Sequence, residues 1–251
     1  FADFATKIKP NGTFIINWDD SNIRKLFKSS KKKNILKYGI KSTGLVSKLR
    51  NENFKTEYNY KNKKISLNVL GEHNVYNALA AITASGVVCD DSKRIIKSIS
   101  SFKGVKRRLE LKCSKQFKIF DDYAHHPSEI KTTLLSLKDN DKGRIVVVFQ
   151  PHTFTRTNMF YNEFAASLNI ADLVYLLPIY PAREKSIKGV NSRLILEILK
   201  MKGCESYLFE NKNDLFRHLE KSLKRNDRVI FQGAGTITNY CDEFIKKVID
   251  K

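Results

Sequence analysis

The chain has 251 residues, 41% of them hydrophobic, and a formal net charge of +20. This apolar content is enough to bury the core of one large domain or of two ordinary ones, which argues against wholesale disorder. The longest apolar run, around residues 173–180, is too short to span a bilayer, so no membrane association is predicted.

The positive charge permits a nucleic-acid partner, because clustered lysine and arginine release counterions from phosphates. The lysines are instead spread along the chain, and the one tight run, at 31–33, lies in a predicted loop without interleaved aromatic residues for base stacking. We therefore expect no nucleic-acid partner and interpret the charge as an ordinary basic surface that attracts anionic ligands.

The four cysteines are widely scattered and form no C-x-x-C pair, which argues against a zinc site or a disulfide framework. Reduced thiols in a cytoplasmic protein are the expectation. No signal peptide is apparent at the start. The sequence begins abruptly at Phe1 without a methionine, which indicates the interior of a longer protein.

The first part of the chain alternates short strands and helices. A helix at 74–88 is expected to bury Val75, Leu79, Ile82 and Val87 on one face. The other predicted elements, in chain order, are a strand at 13–18, a short helix that starts at 19–21 and ends near 27, a strand at 35–40, a hairpin with strands 54–60 and 65–69, and a helix at 92–102.

After Gly104 strands and helices alternate regularly, and strands such as 145–149 are apolar on both faces. This pattern predicts a parallel sheet covered by helices on both sides. The predicted strands are 117–121, 145–149, 173–177, 206–209 and 229–231, and the predicted helices are 128–137, 158–168, 192–201, 214–223 and 237–248. With a boundary near 105–111, the α/β chain divides into an incomplete domain, 1–106, and a complete doubly wound, Rossmann-like domain, 107–251.

Ligands of such sheets bind where the carboxyl ends of the strands open into loops. The first such end reads Asp121-Asp122-Tyr123-Ala124-His125-His126-Pro127. Because neighbouring strand residues point to opposite faces, Asp121 and Asp122 are expected to differ, one supporting the loop and the other facing a ligand. The cluster also suits a metal, and each residue alone suits a simple helix cap.

The second strand end carries His152 and Arg156, four residues apart, so one helical turn would bring them to the same side. An imidazole beside a guanidinium makes a good clamp for a carboxylate or phosphate. The third strand end, Gln232-Gly233-Ala234-Gly235, is only a weak phosphate-binding signal and alone indicates a tight turn.

Two further stretches carry polar groups suited to a nucleotide. Asn74 and Asn77 lie three residues apart on one helix face, and their carboxamides suit an adenine edge, although Asn74 also suits a simple helix cap. Arg107 and Arg108 lie near the predicted domain boundary, where their guanidinium groups either neutralise phosphate or are solvated in a linker.

Together these motifs resemble the Mur ligase family, in order and over nearly the whole chain, and within it the member that adds L-alanine. The stretches that carry the resemblance are Gly71-Glu72-His73-Asn74-Val75-Tyr76-Asn77, Gly104-Val105-Lys106-Arg107-Arg108-Leu109-Glu110, Asp121-Asp122-Tyr123-Ala124-His125-His126-Pro127, Phe149-Gln150-Pro151-His152-Thr153-Phe154-Thr155-Arg156-Thr157, Tyr180-Pro181-Ala182 and Gln232-Gly233-Ala234-Gly235.

The resemblance implies a chemistry in which ATP, with Mg²⁺, phosphorylates the carboxylate of UDP-N-acetylmuramate. The L-alanine amine then attacks the acyl phosphate and forms an amide. The roles it implies are adenine contact for Asn74 and Asn77, phosphate contact for Arg108, ribose contact or support for Asp122, the L-alanine pocket for Tyr123 and His125, and the substrate carboxylate or anionic intermediate for His152 and Arg156. His126 is expected to be structural, and no protein metal ligand is assigned.

The sequence departs from the family pattern in two respects. It has no G-x-x-x-x-G-K-[ST] phosphate loop, and Arg183 stands where the L-alanine-adding member carries a glycine. We expect the phosphate loop, the main magnesium ligands and the sugar-binding domain to lie upstream, and this chain alone to be inactive. Alternatives are a murein tripeptide ligase, a metal-dependent phosphoesterase using Asp121, Asp122, His125 and His126, and a basic nucleic-acid-binding module.

Overall fold

The computed structural model describes residues 2–28, 34–52, 54–140 and 142–249. The chain divides into two compact units, Phe1–Lys103 and Gly104–Lys251. The predicted loop with the lysine run at 31–33 lies outside the described residues. In the ranges given, every helix is too short or too polar to cross a membrane.

The first unit combines a two-stranded parallel sheet, β1–β2, with a three-stranded antiparallel sheet, β3–β4–β5. Its elements are α1 (Ala2–Thr6), β1 (Phe14–Asn17), α2 (Ser21–Phe27), β2 (Ile35–Tyr38), β3 (Val46–Glu52), β4 (Lys55–Tyr60), β5 (Lys63–Leu67), α3 (Glu72–Val88) and α4 (Ser92–Ser101). The predicted hairpin and helices are confirmed. Strand β3 was not predicted, because it is polar and its register shifts between Ser47 and Arg50.

Helix α3 packs against the antiparallel sheet through Val75, Leu79 and Ile82, all of them buried as predicted. The prediction for Val87 is wrong, since its side chain is 45% exposed. At about 100° per residue, Val87 lies roughly 120° around the helix from Val75 and so leaves the buried face.

The second unit is built on a six-stranded sheet of order β10–β9–β8–β11–β7–β6. Its elements are β6 (Glu110–Ser114), β7 (Lys118–Asp122), α5 (Pro127–Lys138), β8 (Ile145–Phe149), α6 (Phe154–Leu168), β9 (Leu173–Leu176), α7 (Arg193–Met201), β10 (Ser206–Leu208), α8 (Lys212–Ser222), β11 (Arg228–Gln232) and α9 (Ile237–Ile249). All strands are parallel except β6, which pairs antiparallel with β7.

Helices cover both faces of this sheet, as the apolar strands predicted. Side chains of α8 and α9 share one buried cluster with alternate strand residues such as Val146 and Val148. On the other face, the ring of Phe149 lies 5.4 Å from that of Phe164 in α6. The predicted parallel sheet is confirmed, and it carries one additional antiparallel edge strand, β6, which was not predicted because it is short, largely exposed and bulged.

The position of β11 determines where the site lies. This last strand of the chain sits between β7 and β8, paired in parallel with both. In the register, Gln232 lies opposite Asp122 on one side and Phe149 on the other. The three polar loops singled out in the sequence therefore leave the sheet side by side at one carboxyl edge.

Candidate functional site

The two aspartates that close β7 are both buried and serve different elements. The Asp122 carboxylate accepts hydrogen bonds from the Leu109 backbone at 3.1 Å, the Thr133 hydroxyl at 3.0 Å and the Gln232 amide at 2.9 Å. Asp122 is only 2% exposed, and its carboxylate links three segments of the chain at the carboxyl edge through these hydrogen bonds. Of the two roles considered for Asp122, this geometry favours support.

Asp121 points to the other face of the sheet. Its carboxylate accepts a hydrogen bond from the Thr238 hydroxyl at 2.6 Å and lies 3.7 Å from Nε of Arg107. Burial raises the pKa of the Asp121 carboxyl, while the Thr238 hydrogen bond and the Arg107 charge act to lower it. The different roles expected of the two aspartates follow from the alternation of the strand.

The two histidines after β7 also divide their roles. His126 is the N-cap of α5 and forms a capping box with Glu129. These contacts agree with the structural role predicted for His126. The Nδ1 atom of His125 lies 2.9 Å from the Tyr123 carbonyl oxygen. Because a carbonyl oxygen only accepts, Nδ1 of His125 carries a proton, and in the tautomer with that single ring proton Nε2 is an acceptor.

Four aromatic rings form a continuous row along the carboxyl edge. The ring centroids are 5.1 Å apart for Tyr123 and His125, 5.7 Å for His125 and His152, and 5.7 Å for His152 and Tyr180. A guanidinium nitrogen of Arg156 lies 3.4 Å from Nδ1 of His152, so the predicted pair is present. The row draws residues from the loops after β7, β8 and β9.

The His152 ring is held in its neutral form. Its partial burial, the Arg156 cation and nearby His125 all lower the pKa of His152, while Glu184 acts in the opposite direction. Since Arg156 can only donate, Nδ1 of His152 is the acceptor and Nε2 carries the proton. His152 thus offers a donor, complementary to the acceptor on His125.

Helix α6 begins at Phe154, four residues earlier than predicted. The Thr153 side chain accepts a hydrogen bond from the backbone N–H of Arg156, and the Glu184 carboxylate accepts one from the N–H of Thr155 at 2.9 Å. These two caps hold the first turn of the helix and Arg156 with it. Glu184 was missed, because it comes from a loop 29 residues downstream.

The G-x-G turn after β11 is explained by close packing. A Cβ atom on Gly233 would lie 2.7 Å from the Gln150 carbonyl oxygen, and one on Gly235 would lie 2.5 Å from Cγ of Tyr180. The Gly233 backbone also has φ of +150°, which disfavours other residues. These glycines bring β11, β8 and the Tyr180 loop together.

The two adjacent arginines lie in different surroundings. Arg107 donates to the Gly233 carbonyl oxygen at 2.8 Å, and its guanidinium lies 4.8 Å from the Tyr123 ring centroid. Arg108 is exposed, with its guanidinium 5.9 Å from the same ring. The sequence named both arginines, and the family resemblance selected Arg108 for a site role, because no local signal shows that Arg107 is the one bound to Gly233 and Asp121.

In the first unit, Asn74 and Asn77 lie on one face at the start of α3, as predicted, with Asn74 half-buried and Asn77 exposed. The Asn77 amide donates to Asn74 Oδ1 at 3.3 Å, and the Asn74 amide donates to the Leu70 carbonyl at 2.8 Å. Between them in sequence, the Tyr76 hydroxyl donates a hydrogen bond to the Asp19 carboxylate at 2.8 Å, which links α3 to the loops that follow β1 and β2.

Asp19 was not singled out in the sequence. Its carboxylate accepts backbone hydrogen bonds from Ile40, Lys41 and Ser42 besides the Tyr76 hydroxyl. Partial burial acts to raise the pKa of Asp19, but these hydrogen bonds prevail and hold it far below its usual value. Asp19 therefore orders the loop after β2 and links it to α3 through Tyr76.

Across the described ranges, no three His, Cys, Asp or Glu side chains lie close enough to hold a metal ion. Asp121 and Asp122 are occupied by internal partners, and His126 caps a helix, so the cluster read as a possible metal site is divided among other tasks. The four cysteines are free thiols.

The fold is that of an α/β protein whose polar loops gather at the carboxyl edge of the six-stranded sheet. Residues 1–85 match the Mur ligase middle domain, and residues 107–235 match the Mur ligase, glutamate ligase domain. The chain belongs to the Mur ligase family. This assignment speaks against the phosphoesterase and nucleic-acid alternatives.

Curated relatives identify the branch of the family that the chain resembles. UDP-N-acetylmuramate–L-alanine ligase from Caldicellulosiruptor bescii is 35% identical over 100% of this chain and 57% of its own length. The ligase of the same name from Persephonella marina is 36% identical over 97% of this chain and 54% of its own length. The chain thus spans about half the length of the curated relatives it matches.

Solved structures agree. UDP-N-acetylmuramate–alanine ligase from Thermotoga maritima superposes with a TM-score of 0.76 at 25% identity, covering 95% of this chain and 52% of that one. A murein peptide ligase from Psychrobacter arcticus, at 19% identity and a TM-score of 0.61 over 98% of this chain and 53% of that one, shares the fold. The alternative of a murein tripeptide ligase therefore has weaker support.

Proposed function

We propose that the protein carrying this chain is an ATP-dependent ligase that joins L-alanine to the carboxylate of UDP-N-acetylmuramate. The observation that carries the proposal is the row of Tyr123, His125 and His152 with Arg156 at one sheet edge, in a chain whose relatives bear that name. The row offers one cation, one donor and one acceptor within a short span. Activation of an acid and attack by an amine need these three groups.

In this proposal Arg156 holds the substrate carboxylate. Among the described residues, no protein carboxylate lies within ion-pair distance of its guanidinium group. The Nε2 proton of His152 donates to an oxygen of the same anion. Nε2 of His125 accepts the proton that the attacking amine nitrogen releases as the new C–N bond forms and the acyl C–O bond to the departing inorganic phosphate breaks. Tyr123 forms one wall of the amino-acid pocket beside His125.

ATP supplies the phosphoryl group that converts the carboxylate into an acyl phosphate, which is a better electrophile. The first unit fits the adenine, because the exposed Asn77 carboxamide beside Asn74 can both donate and accept. Arg108, exposed and charged, would contact the phosphates, and Asp122 would support the edge or the ribose.

Magnesium has no three-residue carboxylate or histidine site in the part of the chain described. In this proposal the magnesium ligands, like the phosphate loop, belong to the part of the full-length protein that matches the half of the relatives outside this chain. The chain alone is then expected to be inactive. A cytoplasmic location, where ATP and nucleotide sugars are available, belongs to the same proposal.

The test is ligase activity of the full-length protein with ATP, UDP-N-acetylmuramate and L-alanine. His125→Ala and Arg156→Ala should each lower kcat/KM by about 10²-fold or more, as for loss of a proton acceptor or a charge-stabilising group. Arg225→Ala, which removes an exposed cation before β11, is the matched control and should leave activity unchanged. Unchanged turnover in both site variants, or preference for a tripeptide over L-alanine, would contradict the proposal.

A further inference from the structure

Arg107 and Arg108 are neighbours in sequence, but only Arg107 is bound into the second unit. Its side chain is 27% exposed, donates to the Gly233 carbonyl oxygen at 2.8 Å and places Nε 3.7 Å from the Asp121 carboxylate. For Arg108, no carboxylate of the described residues lies within ion-pair distance. One arginine is therefore anchored, and the other keeps its charge available.

The backbone around Arg107 is unusual. Arg107 has φ of 59° and Leu109 has φ of 47°, both in the left-handed region that non-glycine residues seldom adopt. Such backbone persists where its surroundings fix it. Here the Arg107 carbonyl accepts from the Tyr123 N–H at 2.7 Å, and the Leu109 N–H donates to Asp122 at 3.1 Å.

These contacts converge on Tyr123. Its backbone N–H is held by the Arg107 carbonyl, and its ring lies 4.8 Å from the Arg107 guanidinium and 5.9 Å from that of Arg108. Two cations beside one ring repel each other unless one has its own partners. Gly233 and Asp121 supply those partners to Arg107, which leaves Arg108 as the uncompensated charge.

We infer that Arg107 is a positioning residue, which fixes Tyr123 and Arg108 at the ligand-binding edge by fastening residues 107–109 to the turn after β11. The inference rests on the proposed function for the roles of Tyr123 and Arg108. It assigns to Arg107 a task different from the phosphate contact proposed for Arg108. Arg107 itself touches Gly233, Asp121 and Tyr123, and no substrate atom is required of it.

Hydrogen exchange on the 251-residue chain tests the positioning without any assay of activity. Arg107→Gln should speed exchange of the Leu109 and Tyr123 amides, because the hydrogen bonds of both amides join residues 107–109 to the end of β7, and it should leave strand β8 unchanged. Arg107→Lys, which keeps the charge, should restore part of the protection. Arg108→Gln is the matched control and should leave both amides as they are, whereas equal effects of Arg107→Gln and Arg108→Gln would overturn the inference.

The kinetic test uses the full-length protein. Arg107→Gln should raise the KM of ATP or L-alanine by about tenfold, the size expected for loss of a charged hydrogen bond, whereas a purely structural defect would lower kcat with unchanged KM. In the double variant with Tyr123→Leu, the fold-increase in KM should be smaller than the product of the two single fold-increases. In the double variant with Asn77→Ala, in the other unit, it should equal that product. Simple multiplication with Tyr123→Leu, or a loss confined to kcat, would overturn the positioning role. If the parent protein forms no amide, the proposed function fails, and the exchange comparison still decides the role of Arg107.

Discussion

Gly235 lies directly against Tyr180, so closely that a Cβ atom at this position would come within 2.5 Å of Cγ of the ring. The same atom would lie 2.6 Å from the side-chain oxygen of Gln150, which in turn accepts a hydrogen bond from the Ile237 N–H at 3.1 Å. The absence of a side chain at Gly235 thus sets how closely the Tyr180 loop approaches β8 and α9, and with it the stacking of Tyr180 on His152.

Gly235→Ala should therefore destabilise the protein by about 1–3 kcal/mol, the usual cost of overpacking a tight site. Gly86→Ala is the matched control. An added Cβ on Gly86 meets nothing within 4 Å, so alanine in this helix should raise stability by about 0.5–1 kcal/mol. Urea unfolding measures both, and equal free energies of unfolding for the two variants would contradict the packing argument.

The depressed pKa of His152 makes folding stability depend on pH. Its ordinary pKa is 6.5, and burial with Arg156 and His125 holds the folded value lower. Above pH 6.5 the His152 ring is neutral in both the folded and the unfolded chain, so its contribution to the free energy of unfolding is fully present. As the pH falls below 6.5 the unfolded chain binds the proton first, so stability is lost down to the folded-state pKa.

The stability difference between the parent and His152→Asn should accordingly shrink as the pH is lowered from 7.5 to 5 in urea unfolding. Arg156→Gln removes a cation from beside the ring and should raise the His152 pKa toward its ordinary value, as followed by NMR of the imidazole Cε1 proton. A pH-independent difference, or an unmoved His152 pKa in Arg156→Gln, would show that the ring is not held neutral by these neighbours.

The two aspartates of β7 should respond differently to neutralisation. Asp122→Asn replaces an acceptor of three hydrogen bonds with a group that also donates, and should cost about 1–3 kcal/mol. Asp121→Asn should cost less, because burial already raises the pKa of Asp121 toward the neutral form. Thermal or urea unfolding of both variants tests this order, and a larger loss in Asp121→Asn would reverse it.

Glu184 should influence both the start of α6 and the charge state of His152. Its carboxylate accepts from the N–H and hydroxyl of Thr155, and its charge acts to raise the pKa of His152. Glu184→Gln should lower the His152 pKa further and speed amide exchange at Thr155. Glu163→Gln makes the same charge change on an exposed position of α6, and it should change neither.

How far the sequence predicts this site depends on the range of the contacts. The strands, the helices and the three polar strand ends carry local signals, such as the apolar run of β8 and the proline at the start of α5. Asp122 and Gln232 are 110 residues apart, and Arg107 and Gly233 are 126 apart. No local pattern reveals such pairs, so the internal support of Asp122 and the anchoring of Arg107 emerged only from the fold.

The strands β3 and β6 were missed for a related reason. Both are largely polar strands with a register shift, and their pairing depends on neighbours rather than on their own alternation. Family resemblance, by contrast, already named Asn74, Asn77, His125, His152 and Arg156. Their proposed roles in binding and catalysis await the variants described above.

The insertion of β11 between β7 and β8 has a consequence for biosynthesis. During translation, β8 leaves the ribosome about 80 residues and β7 about 110 residues before their common partner is complete, since β7 ends at Asp122, β8 at Phe149 and β11 at Gln232. Until then the backbones that will flank β11 have no strand between them. The carboxyl edge with its polar loops is thus among the last parts of this unit to assemble, and a nascent or prematurely ended polypeptide is expected to expose unpaired strand edges that favour aggregation.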